Sequence, residues 1–334
     1  NHFFLGQYPA VSGAETMNRI RVEVIHTLKI SPHADGPVDW GTSNFRAYLV
    51  QADGQCLERI DSADGLNNIE RPFADVLLGH ITHWLQQYGP LTALLSGMVG
   101  SPSGWREVPH LASPASVAQL AQHCQRLHEF GACSAWIVPG VCGTSIAGSF
   151  DVMRGEETQY FGAQQWLEQQ DCRPPELLCF PGTHNKWLSC KADELGQFST
   201  TMSGEIFELL SRQSILAHSV DSQAHWNDEA FFAGIDQANK PGGLLHQIFT
   251  VRSRNLSGEH TVSVGQAYLS GLIIGQELQS MITKPACTIG IVGSHTLAQH
   301  YQQALSYCGF DAICIDSEAA TILGALAIMQ RLPN

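Results

Sequence analysis

Two short stretches of this chain carry the same polar signature. Asp39 to Leu49 read DWGTSNFRAYL, and Phe180 to Cys190 read FPGTHNKWLSC. Aligned, they share G-T-x-N: Gly41, Thr42 and Asn44 match Gly182, Thr183 and Asn185, 141 residues further on. Each copy runs into a strand-like segment, FRAYLV or KWLSC, that ends in a polar turn. The pattern predicts one β-hairpin made twice, because Gly and Asn tolerate the positive φ of a tight tip. Such a tip turns its threonine and its backbone N–H groups toward one point, a concave nest of donors suited to phosphate oxygens. A single copy is an ordinary turn. Two copies at domain spacing imply two like domains offering loops to a shared cleft. The commoner phosphate-binding loops are absent: no lysine precedes Ser or Thr, and G-x-G-x-x-G does not occur.

The second chemically suggestive stretch is VMRGEETQ, residues 152–159. Glu156 and Glu157 open an expected helix. Acidic residues there are favoured by the helix dipole whatever else they do, and a carboxylate so placed can also accept a proton as a hydroxyl reacts. The stretch SGMVGSPSGW, residues 96–105, is a strand entering a glycine loop. Gly293 and Ser294 stand between an expected strand and an expected helix, a common and weak pattern. His80 and His83 are spaced H-x-x-H, but no acidic or cysteine partner falls at ligand spacing, so they read as surface or capping histidines.

The elements that must position these residues follow from composition and periodicity. At 334 residues, 44% apolar and only 15% charged, the chain can bury the cores of two domains. The net charge of −13 disfavours nucleic acid and anionic membranes as partners, while a local cluster of donors can still hold a small anion. No signal peptide is evident, and the most apolar stretch, 268–274, is too short to span a bilayer. The ten cysteines form no C-x-x-C pair and lie mostly in apolar stretches, which reads as buried free thiols in a reducing cytoplasm. Helical spacing runs over 72–88, 117–130, 156–167, 205–211, 264–281, 295–307 and 318–329, with a less regular insertion to about 258. Buried strands alternate with these helices, giving an α/β class. The polar, proline-containing segment 168–176 reads as a domain junction. The residues before Asp39, SPHADGPV, make a poor strand on propensity.

DWGTSNFR resembles the first phosphate loop of hexokinase-type enzymes of the actin-like, ribonuclease-H-like ATPase superfamily. Together with SGMVGSPSGW, VMRGEETQ, PGTHNKW (181–187), MSGEIFELL (202–210) and the terminal strand–helix units, it is similar to the 2-keto-3-deoxygalactonate kinases. The resemblance runs from about Val38 to about Met329, and residues 1–34 lack it. It implies a duplicated two-domain actin-like ATPase fold with a central nucleotide cleft: an atypical extension over 1–35, an N-terminal domain over 36–167 and a C-terminal domain over 176–334, the last helix packing across the cleft. It implies ATP and Mg²⁺, and phosphorylation of the 6-hydroxyl of 2-dehydro-3-deoxygalactonate. Asp39 would face the magnesium, directly or through water. Gly41, Thr42, Ser43, Asn44 and Arg46 would line the phosphates from one side, and Gly182, Thr183, His184 and Lys186 from the other. Gly293 and Ser294 would form the adenosine turn. Glu157, with Glu156 as the alternate, would accept the hydroxyl proton. Arg154 first and Arg106 second would bind the substrate carboxylate, with Gly100, Ser101 and Trp105 beside the sugar; the competing reading of the last three is a glycine-rich connection with a core tryptophan. The alternatives are another sugar or sugar-acid kinase of the same fold, or a non-catalytic ATP-binding relative. The oligomeric state stays open, a homodimer included.

Overall fold

A computed structural model describes residues 34–333, apart from 128–133, 192 and 285–286. Residues 1–33, Cys133 and the end of the helix expected over 117–130 lie outside the described residues.

The poor strand before Asp39 is a strand. β1 (Asp35–Trp40) contains Gly36 and Pro37, yet it lies in the interior of a sheet. It pairs antiparallel with β2 (Phe45–Val50), Val38 opposite Ala47 and Trp40 opposite Phe45. On its other edge it pairs in parallel with β4 (Thr92–Gly97), Asp35 opposite Thr92 through Trp40 opposite Gly97. Propensity measures a strand's own preference, whereas two apolar neighbours and a buried Val38 and Trp40 supply the rest from tertiary contact.

With β3 (Cys56–Ser62), β7 (Gln125–Leu127) and β8 (Ser134–Ile137), this sheet has the order β3-β2-β1-β4-β8-β7. A second sheet contains β11 (Leu177–Phe180), β12 (Asn185–Lys191), β13 (Glu194–Thr201), β14 (Thr288–Gly293) and β15 (Asp311–Asp316), in the order β13-β12-β11-β14-β15. The first five strands of the first order, β3-β2-β1-β4-β8, correspond to these five. In each, three strands pair antiparallel and two more add in parallel. The G-T-x-N repeat thus marks a duplication of the whole sheet, each copy lying at the same β-hairpin tip.

Between the halves, residues 111–153 make a small sheet of β5 (Leu111–Ala112), β9 (Val141–Thr144) and β10 (Phe150–Met153). The intervening β6 (Ala115–Ser116) adds to the outer edge of the second sheet, pairing with Glu194 and Leu195 of β13. The Asp151 carboxylate accepts from the Thr200 N–H at 2.6 Å and its hydroxyl at 2.8 Å.

Helix α1 (Phe73–Tyr88) buries Val76, Leu77, Ile81 and Trp84 on the first sheet. α2 is shorter than its periodicity suggests, Val117–His123, opened by a Ser116–Gln119 capping box; residues 125–127 leave it to form β7. α3 (Glu156–Gln169) precedes the junction and α4 (Ser203–Gln213) follows the second hairpin. The insertion expected to be irregular holds two helices, α5 (Asp228–Ala238) and α6 (Gly243–Leu256). Its start was marked in sequence by Asn227, whose side chain caps α5, followed by Asp228 and Glu229. α7 (Val262–Met281) crosses α5 at Gly271 and Gly234, where added methyls would lie 1.9 Å from the Phe231 carbonyl oxygen and 2.2 Å from that of Tyr268. α8 (His295–Tyr307) and α9 (Ser317–Met329) complete the chain.

The tightest crossing joins α3 to α9. A methyl on Gly162 would meet the Ala320 carbonyl oxygen at 1.7 Å, and one on Gly324 the Thr158 carbonyl oxygen at 1.9 Å. α9 also packs Ile322 and Leu326 against Tyr48 and Val50 of β2, so it touches both halves. Backbone cannot give way as a side-chain tip can. Gly324→Ala is therefore expected to cost about 3 kcal/mol of stability, read as a fall in the thermal midpoint. Gly79→Ala, exposed on α1 with nothing within 4 Å, is expected to leave the midpoint unchanged or raise it.

Candidate active site

The two hairpin tips close by different bonds. In the first, the Gly41 N–H donates to the Asn44 backbone oxygen at 2.9 Å, leaving Thr42, Ser43 and Asn44 exposed. In the second, the Gly182 N–H donates to the side-chain Oδ1 of Asn185 at 2.7 Å, and Asn185 is buried. Thr183 and His184 stay exposed at that tip, and His184 pairs with Glu205. Gly293, at the end of β14, lies against Pro181 of the second hairpin. Ser294 begins α8 with its carbonyl accepting from Ala298.

Charged residues from both halves meet between the tips. Asp39, two residues before the first tip, pairs with Arg46 across the hairpin at 3.2 Å. Burial pushes the Asp39 carboxyl up from its ordinary value; Arg46 opposes this and the charge of Glu156 adds to it. Glu156 in turn sits 3.4 Å from the ammonium of Lys186, on the second hairpin. The Lys186 side chain is only 7% exposed, and it also donates to the His184 carbonyl at 3.0 Å. Glu156, the first residue of α3, thus spans the seam.

Glu157 points the other way. Its exposure is 0%, and it accepts from the Gly155 N–H at 2.7 Å and the Thr158 hydroxyl at 3.3 Å. Burial, then the neighbouring Glu156, pushes its carboxyl up to about 8. Gly155 precedes the helix with φ +114°, a conformation that side chains other than glycine resist.

Arg154 is stapled to the glycine loop. One Nη donates to the Val108 carbonyl at 2.7 Å, and a methyl on Gly100 would lie 2.8 Å from the other. That second Nη is buried without a hydrogen-bond partner, as are the Ser101 Oγ and the Glu156 Oε2. Unsatisfied buried polar atoms are rare in folded proteins, and here three belong to residues singled out by sequence. Trp105 is placed in the first core, stacked on Phe73 with centroids 6.2 Å apart and edge-on to Trp40. Arg106 directs a guanidinium nitrogen to the Arg126 carbonyl at 3.5 Å, on the β7 side.

Beyond the second tip lies a largely apolar cavity of about 150 Å³, lined by Gly182, Phe207, Trp226, Ser270, His300 and Tyr301 among others. Trp226 and His300 stack with centroids 3.8 Å apart and planes 10° apart. Gly293 and Ser294 are not in its lining; α8 contributes one to two turns further on. Trp226 and His300 were missed because they lie on the insertion and on a helix face, where no local motif marks them.

Asp39 and Glu156 are two carboxylates in one desolvated seam, and among the described residues no cluster of three or more His, Cys, Asp or Glu side chains could hold a metal on its own. Mg²⁺ needs only one or two carboxylates, completing its shell with water and phosphate, so these residues fit it. His80 pairs with Asp64 and His83 with Glu58. The nine cysteines described are free thiols, but only Cys124, Cys179 and Cys287 are buried as expected; Cys56, Cys142, Cys172 and Cys190 are half-buried, and Cys308 and Cys314 are exposed. No helix among the described residues is long and apolar enough to cross a membrane.

A duplicated sheet with matching hairpin tips, facing across a charged seam, defines a kinase of the actin-like ATPase class. The sequence model of the 2-keto-3-deoxy-galactonokinase family matches residues 39–328. The chain is 32% identical over 300 residues to the 2-dehydro-3-deoxygalactonokinase of Escherichia coli K12, covering 89% of this chain and 98% of that protein. A crystal structure of a Sinorhizobium meliloti protein bearing the same activity name superposes with a TM-score of 0.80 at 30% identity, over 89% of this chain and 96% of the other. The chain belongs to the 2-keto-3-deoxy-galactonokinase family.

Glu157 yields a test of the geometry. Its folded-state carboxyl titrates near 8 against an ordinary 4.5, so the folded protein holds a proton that the unfolded chain loses. That contribution is full below pH 4.5 and is lost as pH rises through 8. Glu157→Gln, which keeps an acceptor for Gly155, is expected to remove a pH-dependent loss of up to ~5 kcal/mol. Denaturant midpoints of the wild type and variant measured from pH 5 to 9 should diverge with rising pH.

Proposed function

We propose that this chain transfers the γ-phosphoryl group of ATP to the 6-hydroxyl of 2-dehydro-3-deoxy-D-galactonate, releasing ADP and the 6-phosphorylated keto acid. The observation that carries this reading is that Glu156, Arg154 and Ser101 each hold a buried polar atom lacking a partner, and that Glu156 pairs with Lys186 from the opposite half. Family membership supports the substrate class.

The residues then divide the work. The free Nη of Arg154 binds the substrate carboxylate, a charge-assisted bond, and the Ser101 hydroxyl faces the sugar chain. Glu156, whose side chain keeps partial exposure where Glu157 has none, accepts the 6-hydroxyl proton on its carboxylate as the O6–phosphorus bond forms and the bond to the ADP oxygen breaks. Lys186 and the exposed tips 41–44 and 182–184 hold the phosphates. Asp39 would hold Mg²⁺, directly or through water, and the ion when bound neutralises phosphate charge. The Trp226–His300 cavity takes the nucleobase, where sequence reasoning had placed only Gly293 and Ser294. Glu157 fixes the first turn of α3, and so the direction of Glu156. A cytoplasmic enzyme is the matching location, consistent with its free thiols.

The deciding measurement is ADP release with Mg-ATP and 2-dehydro-3-deoxygalactonate, against the gluconate epimer, galactonate and no sugar. Turnover on the galacto keto acid well above the no-sugar rate is expected, and equal background on every acid would sink the assignment. Glu156→Gln is expected to lower kcat by about 10²–10⁴-fold with the thermal midpoint retained. Arg154→Ala is expected to raise KM for the acid by about ten- to a hundredfold, leaving KM for ATP unchanged.

A further inference from the structure

Beneath the second hairpin lies a carboxylate that the chemistry above does not use. Glu277, on α7, is 4% exposed. Four side chains converge on it. Its Oε1 accepts from the Trp187 indole N–H at 2.6 Å and the Thr201 hydroxyl at 2.7 Å. Its Oε2 accepts from the Tyr301 hydroxyl at 2.5 Å. The Asn185 amide nitrogen stands 3.0 Å from both oxygens and also donates to the Tyr301 hydroxyl. Burial and the charge of Glu277 push the Tyr301 hydroxyl well above its ordinary range, so it remains a donor.

The consequence is a matter of hydrogen-bond polarity. Glu277 is the common acceptor of four donors, and the Trp187 indole among them can only donate. Asn185 must therefore turn its NH₂ inward toward Glu277, which leaves Oδ1 facing outward to the Gly182 N–H at 2.7 Å. Were the amide reversed, NH₂ would face N–H and the tip would lose its closing bond. We infer that Glu277 is a positioning residue for the nucleotide: through Asn185 it sets the conformation of the Gly182 tip. This rests on the reading of that tip as a phosphate loop. The first hairpin has no such relay, since Gly41 closes on a backbone oxygen that cannot flip.

Glu277→Gln tests the polarity rather than the packing. The oxygen of the introduced amide stays with Trp187, which can only donate, and its NH₂ then meets the NH₂ of Asn185. The unflipped Asn185 keeps one hydrogen bond, to the oxygen that stays with Trp187, against this repulsion; flipping relieves the repulsion and leaves the Gly182 N–H without an acceptor, so the variant shifts the balance toward the flipped amide. Expected are faster hydrogen exchange at Gly182 and a KM for ATP raised about five- to tenfold, with KM for the sugar acid within twofold of wild type. Adding Asn185→Asp restores the pattern, because a carboxylate at 185 accepts both from the amide introduced at 277 and from the Gly182 N–H; the double variant is expected to recover slow exchange and KM for ATP. Asn185→Asp alone sets two buried carboxylates together and is expected to be the worst of the three. Trp187→Phe deletes a donor to Glu277 without touching the Asn185 amide, and is expected to lower stability while leaving KM for ATP unchanged. Failure of the double variant to recover Gly182 exchange, or a KM shift in Trp187→Phe equal to that in Glu277→Gln, overturns the relay. Gly182 exchange that quickens and recovers while KM for ATP never moves overturns the phosphate assignment of the tip instead.

Discussion

Two helices cross in this protein with almost nothing between them but backbone, and the site depends on that crossing. Gly162 and Gly324 allow α3 and α9 to approach until each carbonyl occupies the space of the other's missing methyl. α3 begins with Glu156 at the seam, while α9 follows the last strand of the second sheet and lays Ile322 and Leu326 on β2 of the first. One rigid contact therefore references both hairpins to the carboxylate between them. Close packing of this kind is not continuously deformable, so the spacing from Glu156 to Lys186 is set by helix geometry far more than by their ion pair.

The same helix start explains why two adjacent glutamates cannot share a role. Successive residues on an α-helix point about 100° apart. One carboxyl enters the interior and the other faces the seam. Glu157 goes in, is held by the Gly155 N–H and carries a raised carboxyl; Glu156 goes out and meets Lys186. A raised carboxyl is often taken as the mark of a catalytic acid or base. In this protein burial comes first among the causes of the rise and the charge of Glu156 second, so the raised carboxyl is accounted for by its surroundings.

Much of this was legible in the sequence, and the failures have physical causes. The G-T-x-N repeat announced the duplication because tight tips constrain residue type locally. Long helices with clear periods, such as 295–307, fell where expected for the same reason. β1 was misjudged because Pro37 and Gly36 are poor strand formers alone, while the sheet around them supplies the pairing. The helix expected over 117–130 stops at His123 because an edge strand needs 125–127, a demand made by β8 and not by local spacing. Which of Glu156 and Glu157 is enclosed was illegible, since adjacent residues at a helix start carry the same local signal and only tertiary packing separates them. Arg154 could be named, but not its staple to Val108; Trp105 could be named, and its packing against the first core follows the competing reading of a core tryptophan.

Duplicated elements are free to diverge once each copy has its own neighbours, and the two tips show how. The first closes on a backbone oxygen, so its Asn44 side chain stays exposed. The second commits Asn185 to closure, which requires a buried acceptor beneath it, and Glu277 supplies one at the cost of desolvating a charge. That cost is offset by four donors, one of which, Tyr301, also walls the cavity beside the tip. Asn185 and Gly182 line the same cavity. Cavity wall and tip closure are thus one hydrogen-bonded unit, an arrangement the first hairpin lacks.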